Sequence, residues 1–201
     1  MLVIILTVIA FAVLHSIFAQ NRIKDAIRAR MGERAYLGLY RIAYNIIAVL
    51  TLLPALAAVV LMPGQVIWRV EGFPAVLMLL VQGIGLVGLT ISLLQTDILR
   101  FGGVTQLLAY VSGQPLPLPP EALRTDGVYA FVRHPLYLFS LLMLWPMATM
   151  TESLLAFNIA ATVYFVVGSL IEEERMVADF GQPYLDYRQR VAWLVPFVKK
   201  L

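Results

Sequence analysis

VLMLLVQGIGLVGLTISLL, residues 76–94, decides what kind of protein this is. Inside it, GIGLVG at 83–88 matches G-x-G-x-x-G, the glycine pattern of dinucleotide-binding folds. In those folds the pattern follows a strand and opens a helix, so that helix N–H groups meet a pyrophosphate. Here the glycines sit in the middle of an uncharged apolar run, and a membrane helix needs roughly 20 such residues. The dinucleotide reading therefore fails on context. The glycines predict close helix packing, helped by Gly88 and Ser92 at small-xxx-small spacing. A second reading has them admit a ligand close to the helix backbone.

Composition agrees with the membrane reading. The chain is 61% hydrophobic and 13% charged, where a soluble domain carries about 25% charged residues. No soluble fold buries that much apolar surface, so lipid is the expected solvent. Cysteine is absent, which excludes disulfides and thiolate metal sites. Only His15 and His134 could offer imidazole, and no HExxH spacing occurs, so no metal is expected.

Four further apolar stretches qualify as crossings, giving five spans at 2–19, 42–62, 73–95, 135–150 and 153–171. The fourth is short, roughly 24 Å as a helix, and Pro146 should kink it. Thr151 and Glu152 alone separate it from the fifth, which predicts a tight antiparallel hairpin. The first span lacks a basic flank before its apolar run, so it reads as a retained helix rather than a signal peptide. The fold class is therefore an all-α integral membrane protein ending in an amphipathic C-terminal helix. Its first part is a three-helix region, 1–110. Its second, 111–201, holds a cofactor-binding loop, the hairpin and the amphipathic segment, both within one continuous membrane domain.

Cations set the orientation. Arg22, Lys24, Arg28, Arg30, Arg34 and Arg41 follow span one. Arg100, Arg124 and Arg133 precede span four, and Arg175, Arg188, Arg190, Lys199 and Lys200 follow span five. With these segments in the cytoplasm only Arg69 lies outside, so the N-terminus is external and the C-terminus cytoplasmic. Topology thus accounts for the net charge of +3, and no nucleic-acid partner is expected. His15, His134 and the acidic run after span five all fall on the cytoplasmic side, most simply of an inner, plasma-type membrane.

Three motifs lie on that side. PLPLPP at 115–120 reads as a stiff polyproline spacer leading toward Gly127. RHP at 133–135 puts Pro135 at the first helical position and His134 at the N-cap. Arg133 and the free helix N–H groups then favour an anion, with the Tyr137 hydroxyl in the first turn; the alternative is an interfacial anchor. EEE at 172–174 closes an apolar run where a helix dipole disfavours negative charge. Three adjacent acids cannot share one helix face, so at least one points into the bundle. An anion site and an acidic site on one hairpin suit a zwitterionic ligand with a cationic centre.

RHPLY, a hairpin, EE and FGQPYLDYRQRV with a Pro-Phe ending resemble the isoprenylcysteine carboxyl methyltransferase superfamily of membrane methyltransferases. The pattern covers roughly residues 124–197. Looser fragments, LHSIFA at 14–19, QTDILRFGG at 95–103, GQPLPLP at 113–119 and WPMATMTESLL at 145–155, are similar to the methanethiol S-methyltransferase and NnrU-like branch. One departure is Phe139, which stands where the superfamily has glycine. The register of the resemblance puts its acidic pair at Glu172 and Glu173. It implies S-adenosylmethionine as methyl donor, with Arg133, His134, Tyr137, Glu172 and Glu173 as cofactor-binding residues. The acceptor would be a lipophilic molecule or a small thiol or carboxyl compound reaching the site from the bilayer, with His134 or His15 holding or deprotonating it. Two rivals remain open: an NADPH-dependent reductase of sterol-reductase-like architecture, and a non-enzymatic NnrU-like membrane protein.

Overall fold

The computed structural model of the chain describes residues 2–196; Phe197 of the Pro-Phe ending and the cations Lys199 and Lys200 lie outside them. The elements are α1 (Leu2–Ala19), α2 (Asn21–Met31), α3 (Glu33–Leu61), β1 (Val66–Arg69), α4 (Phe73–Gln95), α5 (Ile98–Gly102), α6 (Val104–Val111), a 3-10 turn (Gly127–Ala130), α7 (Pro135–Leu144), β2 (Thr149–Thr151), α8 (Glu152–Phe180) and α9 (Gln182–Arg190). Four helices, α1, α3, α4 and α8, are long and apolar enough to cross a membrane. The chain is thus a helical integral membrane protein, with one small two-stranded sheet among the described residues.

The expected fourth span is the element that differs most. Its helix stops at Leu144, after 10 residues. That is about 15 Å, half of a hydrocarbon core of about 30 Å. The cause is Pro146. Trp145 N–H still donates to Leu141 O (3.1 Å), but Pro146 has no N–H to offer the next carbonyl. The chain then runs extended into β2. Instead of a tight hairpin turn, β2 pairs antiparallel with β1, matching Val66 to Thr151, Trp68 to Met150 and Arg69 to Thr149.

The chain forms two compact units, and each is drawn from two stretches of sequence. The first comprises residues 1–64 and 97–120. In it α1 and α6 both pack on α3. Asn45 of α3 donates to the carbonyls of Phe101 and Gly102 (both 3.1 Å), which satisfies the end of α5. Gly103 follows with φ 90° and lies against the Ile42 backbone, where a Cβ would overlap it.

The second unit comprises residues 65–96 and 121–201. Its frame is α4, along which the 127–148 segment runs antiparallel. At one end the Gln95 side chain accepts from Val128 N (3.1 Å). In the middle the Phe139 ring fills the notch at Gly88, and Gly85 lies against the α7 backbone. Further along, Gln82 donates to Met143 O (3.0 Å), and Val70 N donates to Ala148 O (2.8 Å) just before α4 begins. Gly85 and Gly88 are therefore packing glycines, whereas Gly83 meets nothing within 4 Å. Ser92 is fully buried beside them and bonds to Gly88 O (2.7 Å).

α8 starts and stops on clear local signals. Thr151 Oγ1 caps Leu154 N (3.3 Å), and Glu152 supplies a negative first turn. Gly181, with φ 61°, ends it. The helix runs to Phe180, about two turns beyond the expected end of the span. The acids at 172–174 therefore lie within a helix rather than at its end.

Candidate functional site

The three acids sort by the roughly 100° turn between helical neighbours. Glu173 is 4% exposed, while Glu174 faces solvent. Glu172 sits between them, its side chain 39% exposed.

Glu173 is the centre of a closed network. Arg133 grips it with two bonds, Nε to Oε1 (2.6 Å) and Nη2 to Oε2 (3.1 Å). His134 Nε2 also reaches Oε1 (3.0 Å), as does the Tyr184 hydroxyl (3.0 Å). Arg188 Nε reaches Oε2 (3.1 Å). Such a buried charge is stable only because every lone pair direction meets a donor. Burial and the neighbouring carboxylate push the Tyr184 pKa up, which keeps its hydroxyl protonated as a donor.

Local folding explains why these groups meet. Pro135 is the first residue of α7 and His134 its N-cap. The chain before them is held by the tail: Arg133 N donates to Ala192 O (2.8 Å) and His134 N to Trp193 O (3.2 Å). Arg133 Nη1 returns the tie, donating to Arg188 O (3.0 Å) and Val191 O (2.6 Å) at the end of α9. The expected ligand-facing arginine is thus 5% exposed and occupied by protein partners.

A second, more open layer lies beside the first. Tyr137 donates its hydroxyl to Glu172 Oε2 (3.0 Å), and His134 Nδ1 stands 3.6 Å from the same oxygen. The Tyr137 ring is stacked between His134 (5.6 Å, 16°) and Phe165 of α8 (5.2 Å, 21°). His134 therefore has a carboxylate at each ring nitrogen. Burial by itself lowers its pKa, but Glu172 and Glu173 more than reverse this and hold it above the ordinary imidazole value.

Five of the six residues singled out from sequence, Arg133, His134, Tyr137, Glu172 and Glu173, are thereby brought together in the second unit. His15 belongs to the first unit, where its Nε2 pairs with the Tyr44 hydroxyl (2.5 Å). Sequence reasoning did not single out Tyr184, Arg188 or Phe165. Tyr184 lies within the FGQPYLDYRQRV motif, which is the one available signal. Arg188 lies in the same stretch, but nothing in it marks this arginine over Arg190, and Phe165 carries no signal because its partner Tyr137 is distant in sequence.

A helical membrane protein with a buried Arg–His–Glu network and a half-exposed carboxylate beside it is the class that fold and site define. The chain belongs to the NnrU family: residues 3–150 match the model described as NnrU protein. That match takes in Arg133, His134 and Tyr137. The chain is also similar to two curated proteins of Bradyrhizobium diazoefficiens. It is 32% identical to Methanethiol S-methyltransferase 2 over 195 residues, 97% of this chain and 73% of that protein. It is 31% identical to Methanethiol S-methyltransferase 1 over 188 residues, 93% of this chain and 64% of that protein. The chain therefore spans about two thirds to three quarters of the length of these relatives. A shorter match, 33% over 84 residues, reaches Protein-S-isoprenylcysteine O-methyltransferase of Tribolium castaneum, covering 39% of this chain and 29% of that one. These matches bear out the resemblance to the isoprenylcysteine carboxyl methyltransferase superfamily.

Proposed function

We propose that the protein is a membrane-embedded methyltransferase, transferring a methyl group from S-adenosylmethionine to a small thiol or other lipophilic acceptor at the cytoplasmic membrane face. The observation that carries this reading is the Glu172–Tyr137–His134 layer. It is the part of the site whose polar groups are not all spent on protein, and it lies on the RHPLY and EE stretches that resemble those of membrane methyltransferases. Relatives named for methanethiol S-methylation favour a thiol acceptor.

The residues fit such a donor in a particular way. Among the described residues no hydrogen bond or ion pair engages Glu172 Oε1, so this oxygen can take an ammonium group or a ribose diol. Tyr137 donates to the other oxygen and fixes the carboxylate, while His134 Nδ1 stands 3.6 Å from that oxygen, beyond hydrogen-bond distance. Arg133 and Glu173 serve the site from behind, by setting the backbone and the imidazole. When bound, S-adenosylmethionine supplies a methyl group on a sulfonium, so the protein needs no nucleophile of its own. Its work is to align the reactants and exclude water. A thiol acceptor must also lose a proton. Neutral His134 can take it at Nδ1, so the rate should rise as pH climbs through the raised His134 pKa.

Isothermal titration with S-adenosylhomocysteine tests the reading, with NADPH as the competing ligand. Wild-type protein should bind the former. Glu172→Gln should weaken that binding about 10- to 150-fold, the worth of one charge-assisted hydrogen bond. Glu174→Gln, on the solvent side, should change it less than about 3-fold. Binding of NADPH alone, or equal small effects of both substitutions, would overturn the proposal.

A further inference from the structure

The network around Glu173 contains two groups that the reaction itself does not call for. Tyr184 and Arg188 both come from α9, and both point at the same carboxylate. They are one turn apart on the helix, so a single face delivers a hydroxyl to Oε1 and a guanidinium to Oε2. Tyr184 is 3% exposed. Arg188 is at the surface, its side chain 42% exposed. An exposed arginine ordinarily spends its charge on water. This one reaches inward to an acid that already holds a bidentate arginine. Glu173 is thus over-supplied with positive charge, and that limits how strongly it can pull on the remaining neighbour, His134.

We propose that Tyr184 and Arg188 are positioning residues: by saturating Glu173 they hold the His134 imidazole with Nε2 on that carboxylate and Nδ1 turned toward Glu172 and the ligand. This rests on the reading of Glu172 and His134 as the ligand-facing pair. The groups that bear on His134 come from every side. They are Glu172 and Glu173 from α8, Tyr137 from α7, Arg133 beside it, and Tyr184 and Arg188 from α9. Removing the Arg188 charge leaves Glu173 with more negative potential to spend on His134. The imidazolium is then favoured and the neutral form appears only at higher pH. Removing the Tyr184 hydroxyl frees one direction on Oε1, and the imidazole shifts into it.

Magnetic resonance on full-length protein with labelled histidine tests the proposal directly, because the chain has only two histidines. The signal missing from His134→Asn identifies His134; His15 serves as an internal control. Arg188→Gln should move the His134 signal and raise its titration midpoint by about 0.5–1 pH unit. Arg188→Lys should restore most of the wild-type midpoint. Tyr184→Phe should move the signal too, and neither change should move His15. The pH at which methyl transfer to methanethiol reaches half its maximum should shift upward in Arg188→Gln by the same amount. A His134 signal and midpoint equal to wild type in Arg188→Gln would overturn the proposal, whatever the melting temperature does. Arg188 is exposed, so that variant should fold even where Tyr184→Phe does not. The histidine signals do not depend on turnover. A wild type that binds no S-adenosylhomocysteine would therefore sink the functional reading separately from the clamp.

Discussion

Glu172 and Glu173 are neighbours with opposite work. Glu173 is enclosed by five donor contacts, so Glu173→Gln removes a buried charge and strands Arg133 beside it. Such losses cost about 3–5 kcal/mol, and thermal melts should show a large fall in stability. Glu172→Gln should leave the melt near wild type and act on binding instead. His134 adds a pH dependence to stability. Its folded pKa is raised above the unfolded value of about 6.5, so its contribution is full below that pH and is lost as pH rises through the folded pKa. Melting temperature should decline over that window, and His134→Asn should flatten the decline. The acidic run was legible in sequence as three residues that could not share a face. Which one is buried was not legible, because Tyr184, Arg188 and Arg133 choose it from 11, 15 and 40 positions away.

At the scale of elements, the Phe139 departure is answered by α4. Its ring does not stand free in the site. It lies in the notch left by Gly88, in close contact with the bare helix surface there. A large residue at 139 and none at 88 are two halves of one packing solution. Gly88→Leu should therefore overpack the α4–α7 contact and destabilise by about 1–3 kcal/mol. Combining it with Phe139→Gly should recover much of the loss, which a double-mutant cycle by thermal melts would measure. Additive losses would show that the two side chains do not share the space. Helix packing at Gly85 and Gly88 was the first of two readings the sequence left once apolar context had excluded the dinucleotide fold, and Gly83 does not share it. The pairing with Phe139 could not be read from the sequence, because small-residue spacing names the face that is approached and not the side chain that approaches it. The early end of α7 was half legible: Pro146 announced a disturbance, but only the pairing of β2 with β1 shows that the helix ends rather than bends.

For the whole molecule the open quantity is the number of crossings, and the second unit argues it from within. α4 is 23 residues long, about 34 Å, enough to cross a bilayer core of about 30 Å. Val128 is bonded to Gln95 at one end of that helix, and Ala148 to Val70 just before the other. The 127–148 segment therefore travels the whole length of α4 in the opposite direction, although only 10 of its residues are α-helical in α7. Backbone outside a helix is tolerated at membrane depth when it is buried in protein or lines a cavity. Here α4 provides the cover, and Gln82 satisfies Met143 O on the way. We propose that this segment is a broken fourth crossing, which would make five in all. Reporter fusions separate this from a four-crossing chain. Fusions after residues 30 and 110 should read cytoplasmic, and one after residue 68 external, in either case. The fusion at residue 201 decides. A 127–148 segment that crosses puts it in the cytoplasm, on the same side as Arg188 and the acids of α8. A segment that turns back within the membrane puts it outside, and the site with its cytosolic donor would then lie on the wrong face.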